Sequence, residues 1–553
     1  MTTRTPAAVR WHARSLALVG GLLAGAVLVA GCVGDPAPRG RSGPSPAAGA
    51  LATIVGPTAP VTSTPGTPSP PVPTPTAAQV AALDAASPTG VDVAAENTLP
   101  GDPNLALTRT GATGAIEGYT NTVAVLPGRS FTLYASTTAA SFVVQAFRLG
   151  WYGGAGARLV WTSAAVGGTV QPPPSITPVT HMVSADWSPT LTISTVGWPA
   201  GSYVLRLDAS NGDQRYVPIT VRSPSCAGAL VVLNAVTTWQ AYNTWGGYSL
   251  YTGPTGRGYV VSFDRPYDKT GAGHLLDYEH PLIEVAESTG LPLCYETSIQ
   301  LQTDPGILAG ARGVLSLGHD EYWSATMRQA VRTAIDAGTN VAFFGANAIY
   351  RKIRLNPSRL GPDRQEVNYR VAALDPLAAT DPAAATVNWP DPPVSRNESS
   401  ITGQQYGCFS PRLHPMSVVD PNGWVWAGTG VRAGTVLPAL VGPESDRLNP
   451  GSVPTPRPIQ VFGSSTFRCG SPLIGRPTWS DLTYYTTPSG AGVIDVGTMN
   501  WACSLQSYCT GIPDPAFVSP ITRTVTTTIL RVFAAGPAGR THPAVESPPA
   551  TAP

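Results

Sequence analysis

The stretch Gly313–Asn347, GVLSLGHDEYWSATMRQAVRTAIDAGTNVAFFGAN, most narrows how this chain can fold. Gly313–Leu317 is an apolar run that suits a buried strand. Gly318 and the polar cluster His319-Asp320-Glu321 follow it. Ser324–Ala337 is amphipathic, with Met327, Ala330, Val331, Ala334 and Ile335 at helical spacing. Gly338 then stands where a helix C-terminus favours a residue free to take positive φ. A second apolar run, Asn340–Gly345, leads into Asn347. Strand, helix, strand implies two parallel strands joined by a crossover. Ligands of such sheets bind beyond the carboxyl ends of the strands. His319, Glu321 and Asn347 all fall at carboxyl ends.

At 553 residues the chain exceeds a single domain. Its net charge of +1 gives no electrostatic case for nucleic acid. Residues 1–32 read as a lipoprotein signal peptide. Arg4, Arg10 and Arg14 precede the apolar run Leu16–Ala30, which is too short and too early to be a spanning helix of the mature protein. The run ends Val29-Ala30-Gly31-Cys32, which resembles a bacterial lipobox and implies cleavage before Cys32 and lipidation of its thiol. An ordinary cleaved signal and an uncleaved anchor are the alternatives. This reading puts the protein on the extracytoplasmic face of the cell membrane, held by lipid. In that oxidising compartment, Cys226, Cys294, Cys408, Cys469, Cys503 and Cys509 suggest up to three disulfides, with Cys503–Cys509 as the local pair.

Residues 33–92 are rich in Pro and Thr and read as a disordered tether. Residues 93–222 read as an immunoglobulin-like β-sandwich, with alternating runs at Ser130–Ser136, Phe142–Leu149, Leu191–Ser194, Ser202–Asp208 and Tyr216–Val221. Within it, Arg148–Gly154 (RLGWYGG) sets two aromatics beside a turn, which suits packing against the next domain. Residues 223–536 read as an α/β domain carrying the candidate site. It has strands at Leu230–Leu233 and Leu291–Tyr295, a helix at His280–Thr289, a surface excursion at Pro376–Pro393, a late strand at Val493–Thr498 and a closing helix at Ile521–Phe533. Residues 537–553 read as a disordered tail. The expected fold class is α/β: a layered, mostly parallel sheet, Rossmann-like or amidotransferase-like, preceded by the sandwich.

The sequence has no P-loop, no dinucleotide fingerprint, no H-E-x-x-H and no G-x-S-x-G. Its seven histidines are scattered and offer little for zinc. What remains is oxygen-rich: Glu321, and Tyr242, Tyr248 and Tyr251 after the first strand of the larger domain. Each has a plainer reading as well. Asp320 and Glu321 suit a helix N-terminus, where the dipole is worth roughly 0.3–1 kcal/mol. The tyrosines lie among Trp239 and Trp245 and suit packing. Asn347 suits a cap, His274 a structural role, and Glu444 and Asp446 a solvated turn, with reach to the rim of the crevice as the alternative.

TWQAYN (238–243), SLY (249–251), RPYD (265–268), GHDEYWS (318–324), FFGAN (343–347) and VGTMNW (496–501) together resemble the C-terminal domain of the large (beta) subunit of N,N-dimethylformamidase. FRLGWYGG (147–154) resembles the β-domain that precedes it. The resemblance implies a mononuclear ferric iron held by two tyrosine phenolates and a glutamate. It therefore implies Tyr242, Tyr251 and Glu321 as metal ligands, with Tyr278 in reserve for Tyr251. It also implies His319 as general base or orienter of water and Asn347 as a donor to the developing oxyanion. Such a protein is a metal-dependent hydrolase of C–N (amide) bonds acting on a small-molecule amide. The reading leaves room for a homo-oligomer. The alternative function is a non-enzymatic cell-surface lipoprotein that binds carbohydrate or cell wall through the aromatics at Trp151 and Tyr152.

Overall fold

The computed structural model describes residues 75–449, 454–470, 475–506 and 519–547. The signal segment, Cys32, most of the tether and Cys509, with its expected pairing to Cys503, lie outside the described residues. The tether reading stops short of residue 92. Ala77–Ala86 forms a helix capped by Thr76, with Gln79 reaching back to the Thr76 N–H, and Val80 is buried. Its alanine-rich sequence has strong helix propensity, which outweighs the flanking prolines. Residues 537–547 also carry structure. The Ala538 N–H donates to Asn340 Oδ1 at 2.9 Å and the Ser547 N–H to the Ile459 carbonyl at 3.0 Å.

The N-terminal strands form two sheets. One orders Ile116–Thr120, Ser130–Thr137 and Leu191–Ser194. The other is six-stranded and centres on Ser141–Leu149, Gly201–Ala209 and Gln214–Val221, which pair antiparallel with one another, while Gln214–Val221 also pairs parallel with Ala124–Val125. Period-two alternation sends Phe131, Leu133, Val144, Leu205 and Val217 into one apolar core. At the end of Ser141–Leu149, Arg148 is completely buried and makes a two-pronged ion pair with Glu287 at 2.6 and 3.0 Å. Tyr152 is 5 % exposed, and its hydroxyl joins Arg148 to Glu96. The RLGWYGG turn thus packs inward, onto the helix that carries Glu287.

The elements that build the site are labelled in chain order. The strands are β1 (Leu230–Asn234), β2 (Val260–Ser262), β3 (Leu293–Thr297), β4 (Gly313–Gly318), β5 (Tyr322–Ser324), β6 (Asn340–Gly345), β7 (Arg351–Ser358), β8 (Gly361–Val367), β9 (His414–Val418), β10 (Val436–Val441), β11 (Glu444–Arg447), β12 (Ile459–Cys469), β13 (Arg476–Thr486) and β14 (Gly492–Asp495). The helices are α1 (Val236–Tyr242), α2 (His280–Ser288), α3 (Ala325–Asp336) and α4 (Pro520–Ala534). The main sheet has nine strands in the order β3-β1-β4-β6-β14-β13-β12-β9-β10. Pairing is parallel from β3 to β14 and antiparallel from β14 to β10. A four-stranded sheet, β2-β8-β7-β5, lies apart from it.

The expected fold class is therefore corrected. The protein is mostly β, its sheets are mixed or antiparallel, and it is not a layered parallel α/β fold of Rossmann type. The physical reason is in the connections. Parallel pairing needs a crossover of a dozen or more residues, usually helical. The chain supplies one between β4 and β6, where α3 buries Met327, Ala330, Val331, Ala334 and Ile335. Between residues 404 and 495 it supplies short turns instead, and β12 runs back against β13 from Ile459↔Tyr485 to Cys469↔Arg476. Two disulfides, Cys226–Cys294 and Cys408–Cys469, have Cα separations of 5.2 and 5.9 Å, inside the bridging range.

Candidate functional site

Three loops meet at the carboxyl ends of the parallel strands. The first follows β1. There α1 ends in Tyr242, and the chain turns through Trp245–Gly247 to Tyr251. The turn is held from inside by Arg265, which is fully buried and has no acidic partner among the described residues. Its guanidinium donates to the carbonyls of Asn243, Trp245 and Tyr248 at 2.8–3.0 Å and to Gln240 Oε1 at 3.0 Å. The Leu250 N–H then donates to the Ala241 carbonyl at 2.9 Å. This brings Tyr242 and Tyr251 side by side, with ring centroids 4.3 Å apart.

The second loop follows β4 and carries His319, Asp320 and Glu321. The Glu321 N–H donates to Thr238 Oγ1 at 2.9 Å, tying this loop to α1. The third follows β6 and ends in Asn347, whose φ of 61° lies in the left-handed region that asparagine tolerates better than most residues. Loops two and three approach closely because Gly318 and Gly345 leave room. A Cβ on Gly345 would stand 1.8 Å from the Gly318 carbonyl oxygen, and one on Gly318 would stand 2.4 Å from the Tyr278 carbonyl.

The structure brings together the residues singled out in the sequence. Tyr242 OH donates to Glu321 Oε2 at 2.7 Å and lies 2.8 Å from Tyr251 OH. Tyr251 OH reaches both Glu321 oxygens, at 2.8 and 3.0 Å. The carboxylate is 1 % exposed. His319 Nε2 lies 3.6 Å from Glu321 Oε2. Asn347 is one step removed, at Glu444 rather than at Glu321. Tyr278 packs its ring against His319, 6.3 Å between centroids, and makes no hydrogen bond to Glu321. Of the two tyrosines considered for the second place, Tyr251 is the one on the carboxylate.

Arg351 carries no signal in the sequence, and Glu444 and Asp446 take the second of their two expected places, at the rim. Glu444 and Asp446 are not a solvated turn but lie on β11, and Asp446 is buried. Asp446 accepts the Asn347 N–H at 2.8 and 2.9 Å. Glu444 Oε2 accepts from Asn347 Nδ2 at 2.9 Å and stands 3.3 Å from His319 Nε2, an ion-pair distance without hydrogen-bond alignment. Arg351 Nε lies 3.1 Å from Glu321 Oε1. No local pattern marks these residues: Asp446 and Glu444 meet Asn347 across 99 and 97 positions, and Arg351 meets Glu321 across 30. His274, expected to be structural, lies 5.3 Å from the Tyr242 ring, and burial holds its imidazole neutral, down at about 3.

Charge follows from this packing. Burial alone would push the Glu321 carboxyl up; Arg351, His319 and the two phenol donors outweigh it and hold the group below the ordinary carboxyl range. Burial opposes protonation of His319, but Glu444 first, then Glu321 and Asp320, raise it above the usual imidazole value. Burial, followed by the charge of Glu321, pushes both phenols well above ordinary tyrosine. The set is thus an anionic carboxylate held by two protonated phenols and the Arg351 guanidinium.

One further cluster, Cys226, Cys294 and Glu296, has metal-ligand spacing among the described residues. Its two sulfurs are joined in a disulfide and cannot serve as thiolates.

Fold and site together define a class: antiparallel β sheets leading into a mixed-sheet domain with a buried tyrosine–tyrosine–glutamate centre. The chain belongs to the N,N-dimethylformamidase beta subunit-like, C-terminal family, which matches residues 143–514. No curated protein matches the chain.

The two glycines give a direct check on the site's construction. Gly345→Ala is expected to lower stability to denaturant by about 1–3 kcal/mol, because the new methyl must displace the Gly318 backbone. An unchanged unfolding midpoint would contradict the close approach.

Proposed function

We propose that the protein is an exported, metal-dependent hydrolase of C–N (amide) bonds that holds iron through Tyr242, Tyr251 and Glu321. The observation that carries this reading is the convergence of those three side chains, with hydroxyl-to-carboxylate distances of 2.7–3.0 Å. The donor set fits the ion. Two phenols and a carboxylate are hard oxygen ligands, suited to trivalent iron. Both His319 nitrogens and Asn347 Oδ1 are buried with no hydrogen-bond partner, so polar atoms around the centre are left over for a substrate and a water molecule. Family membership supports an amide as the bond attacked.

When bound, such an ion supplies Lewis-acid polarisation of the amide carbonyl and a lowered pKa for water. The other steps fall to side chains. His319 accepts a proton from the attacking water at a ring nitrogen, and Glu444, 3.3 Å from Nε2, stabilises the imidazolium as it forms. His319 returns that proton to the departing nitrogen as the C–N bond breaks, giving a carboxylic acid and an amine. Asn347, fixed from β11 by Glu444 and Asp446, is placed to donate to the carbonyl oxygen as negative charge develops there. The thirty-two-residue leader and Cys32 support export and lipid anchoring at the membrane. Among the described residues no helix is long and apolar enough to cross a membrane.

Metal analysis of the purified protein tests the centre. Stoichiometric iron and a visible phenolate-to-iron charge-transfer band are expected in the wild type, with both lost in Glu321→Ala and the band weakened in Tyr242→Phe. Iron-free, colourless wild-type protein would overturn the proposal. The anchor has its own check. Metabolic labelling with palmitate is expected in the wild type and absent in Cys32→Ser; equal labelling would remove Cys32 as the lipid site.

A further inference from the structure

Two arginines stand at the rim of the centre and are used differently. Arg351 is taken up by Glu321, at 3.1 Å. Arg370 has no acidic partner among the described residues. Its guanidinium lies over the ring of Tyr251, 4.1 Å from the centroid, and Nη2 donates to Tyr322 OH at 3.2 Å. Nε is buried without an acceptor, and Nη1 has no partner among the described residues. The backbone holds this arrangement at a cost. Arg370 has a φ of 61°, in the left-handed region, and its N–H is fixed to the Thr386 carbonyl at 2.8 Å. Strain of this kind in a non-glycine residue collects at ligand-binding positions.

A second cation adds to the imbalance. Arg257 also lacks an acidic partner among the described residues and donates to the carbonyls of Gly258, Asn368 and Tyr369, the last two directly before Arg370. Burial, and then the nearby charge of Arg370, bring its guanidinium down to about 10. Half-buried positive charge without a counter-ion is costly unless something supplies one. The guanidinium lies over the phenol with its Nη1–Nη2 edge uncommitted except for one hydrogen given to Tyr322. That planar fork matches the two oxygens of a carboxylate.

We infer that Arg370 binds a carboxylate carried by the substrate, so that the amide cleaved at this centre belongs to an N-acyl amino acid or a similar carboxylate-bearing amide. The inference rests on the amide-hydrolase reading for the reaction but not for the binding. The anion is held by Arg370 beside Tyr251, whereas Asn347 is held at Glu444, so the substrate's charged end and its scissile carbonyl meet different residues.

The test pairs binding with turnover. Levulinate has the shape of N-acetylglycine with a methylene in place of the amide nitrogen, so it binds without being cleaved. Calorimetry is expected to show levulinate binding to the wild type, weakened by about tenfold or more in Arg370→Gln and by less in Arg370→Lys, which keeps the charge but loses the fork. Acetate release is expected to favour N-acetylglycine over the neutral N-acetylglycinamide by about tenfold in kcat/KM, through KM, and Arg370→Gln is expected to erase that preference. Equal levulinate affinity in wild type and variants overturns the inference. So does a loss in Arg370→Gln that is the same for both amides, since the guanidinium would then serve Tyr251 rather than a substrate. If Arg370→Gln does not fold, an Arg370→Lys protein that binds levulinate as tightly as wild type overturns it as well. Arg370-dependent levulinate binding with neither amide cleaved would sink the hydrolase reading and leave the anion site standing.

Discussion

Glu321 keeps a negative charge in a place almost closed to water, and the rest of the site is arranged around that fact. An ionised carboxylate loses most of its hydration there, so it must be compensated by neighbours. Two phenols donate to it, Arg351 approaches from one side and His319 from the other. The same burial keeps both phenols protonated while nothing positive sits between them. A bound cation inverts this logic, because it favours the ionised form of every oxygen it touches. Oxygens held 2.7–3.0 Å apart by shared protons are therefore well placed to exchange those protons for a metal ion.

The fold produces that convergence from distant parts of the chain. Parallel strands deliver α1 and the loops after β4 and β6 to one edge of the sheet. Two glycines let the last two loops touch, and Arg265 fixes the turn that stacks the tyrosines. A separate two-stranded antiparallel sheet, in which β11 pairs with Gln405–Phe409, supplies the other wall. From β11 it sends Glu444 to His319 and Asn347, and Asp446 to the Asn347 backbone. The site thus lies between the parallel part of the main sheet and this smaller one, and neither builds it alone.

Much of this was legible in the sequence where the signal is local. The apolar runs and the helical periodicity between Gly313 and Gly345 gave β4, α3 and β6 nearly residue for residue. The closing helix, expected at Ile521–Phe533, is Pro520–Ala534. Tyr242, Tyr251 and Glu321 were chosen from the motifs they sit in, and they meet. What could not be read was pairing direction after β6 and contacts across long separations. An apolar run looks alike in a parallel and an antiparallel strand, and β12 and β13 had no place among the expected elements, so the antiparallel half of the sheet was not foreseen. Glu444 and Asp446, between a proline and an arginine, carry a turn-like composition; only their contacts with Asn347, nearly a hundred positions earlier, make them part of the site. Arg370 has no motif at all. Its importance appears only when the ring beneath it proves to be Tyr251.

The central claim is that these three oxygens share one metal ion. Crystals of the full chain grown with ferric iron, with diffraction recorded on both sides of the iron absorption edge, test it most directly. The account predicts an anomalous peak within bonding distance of Tyr242 Oη, Tyr251 Oη and a Glu321 carboxylate oxygen. A peak elsewhere on the protein, with these hydroxyls still hydrogen-bonded to Glu321, would contradict it.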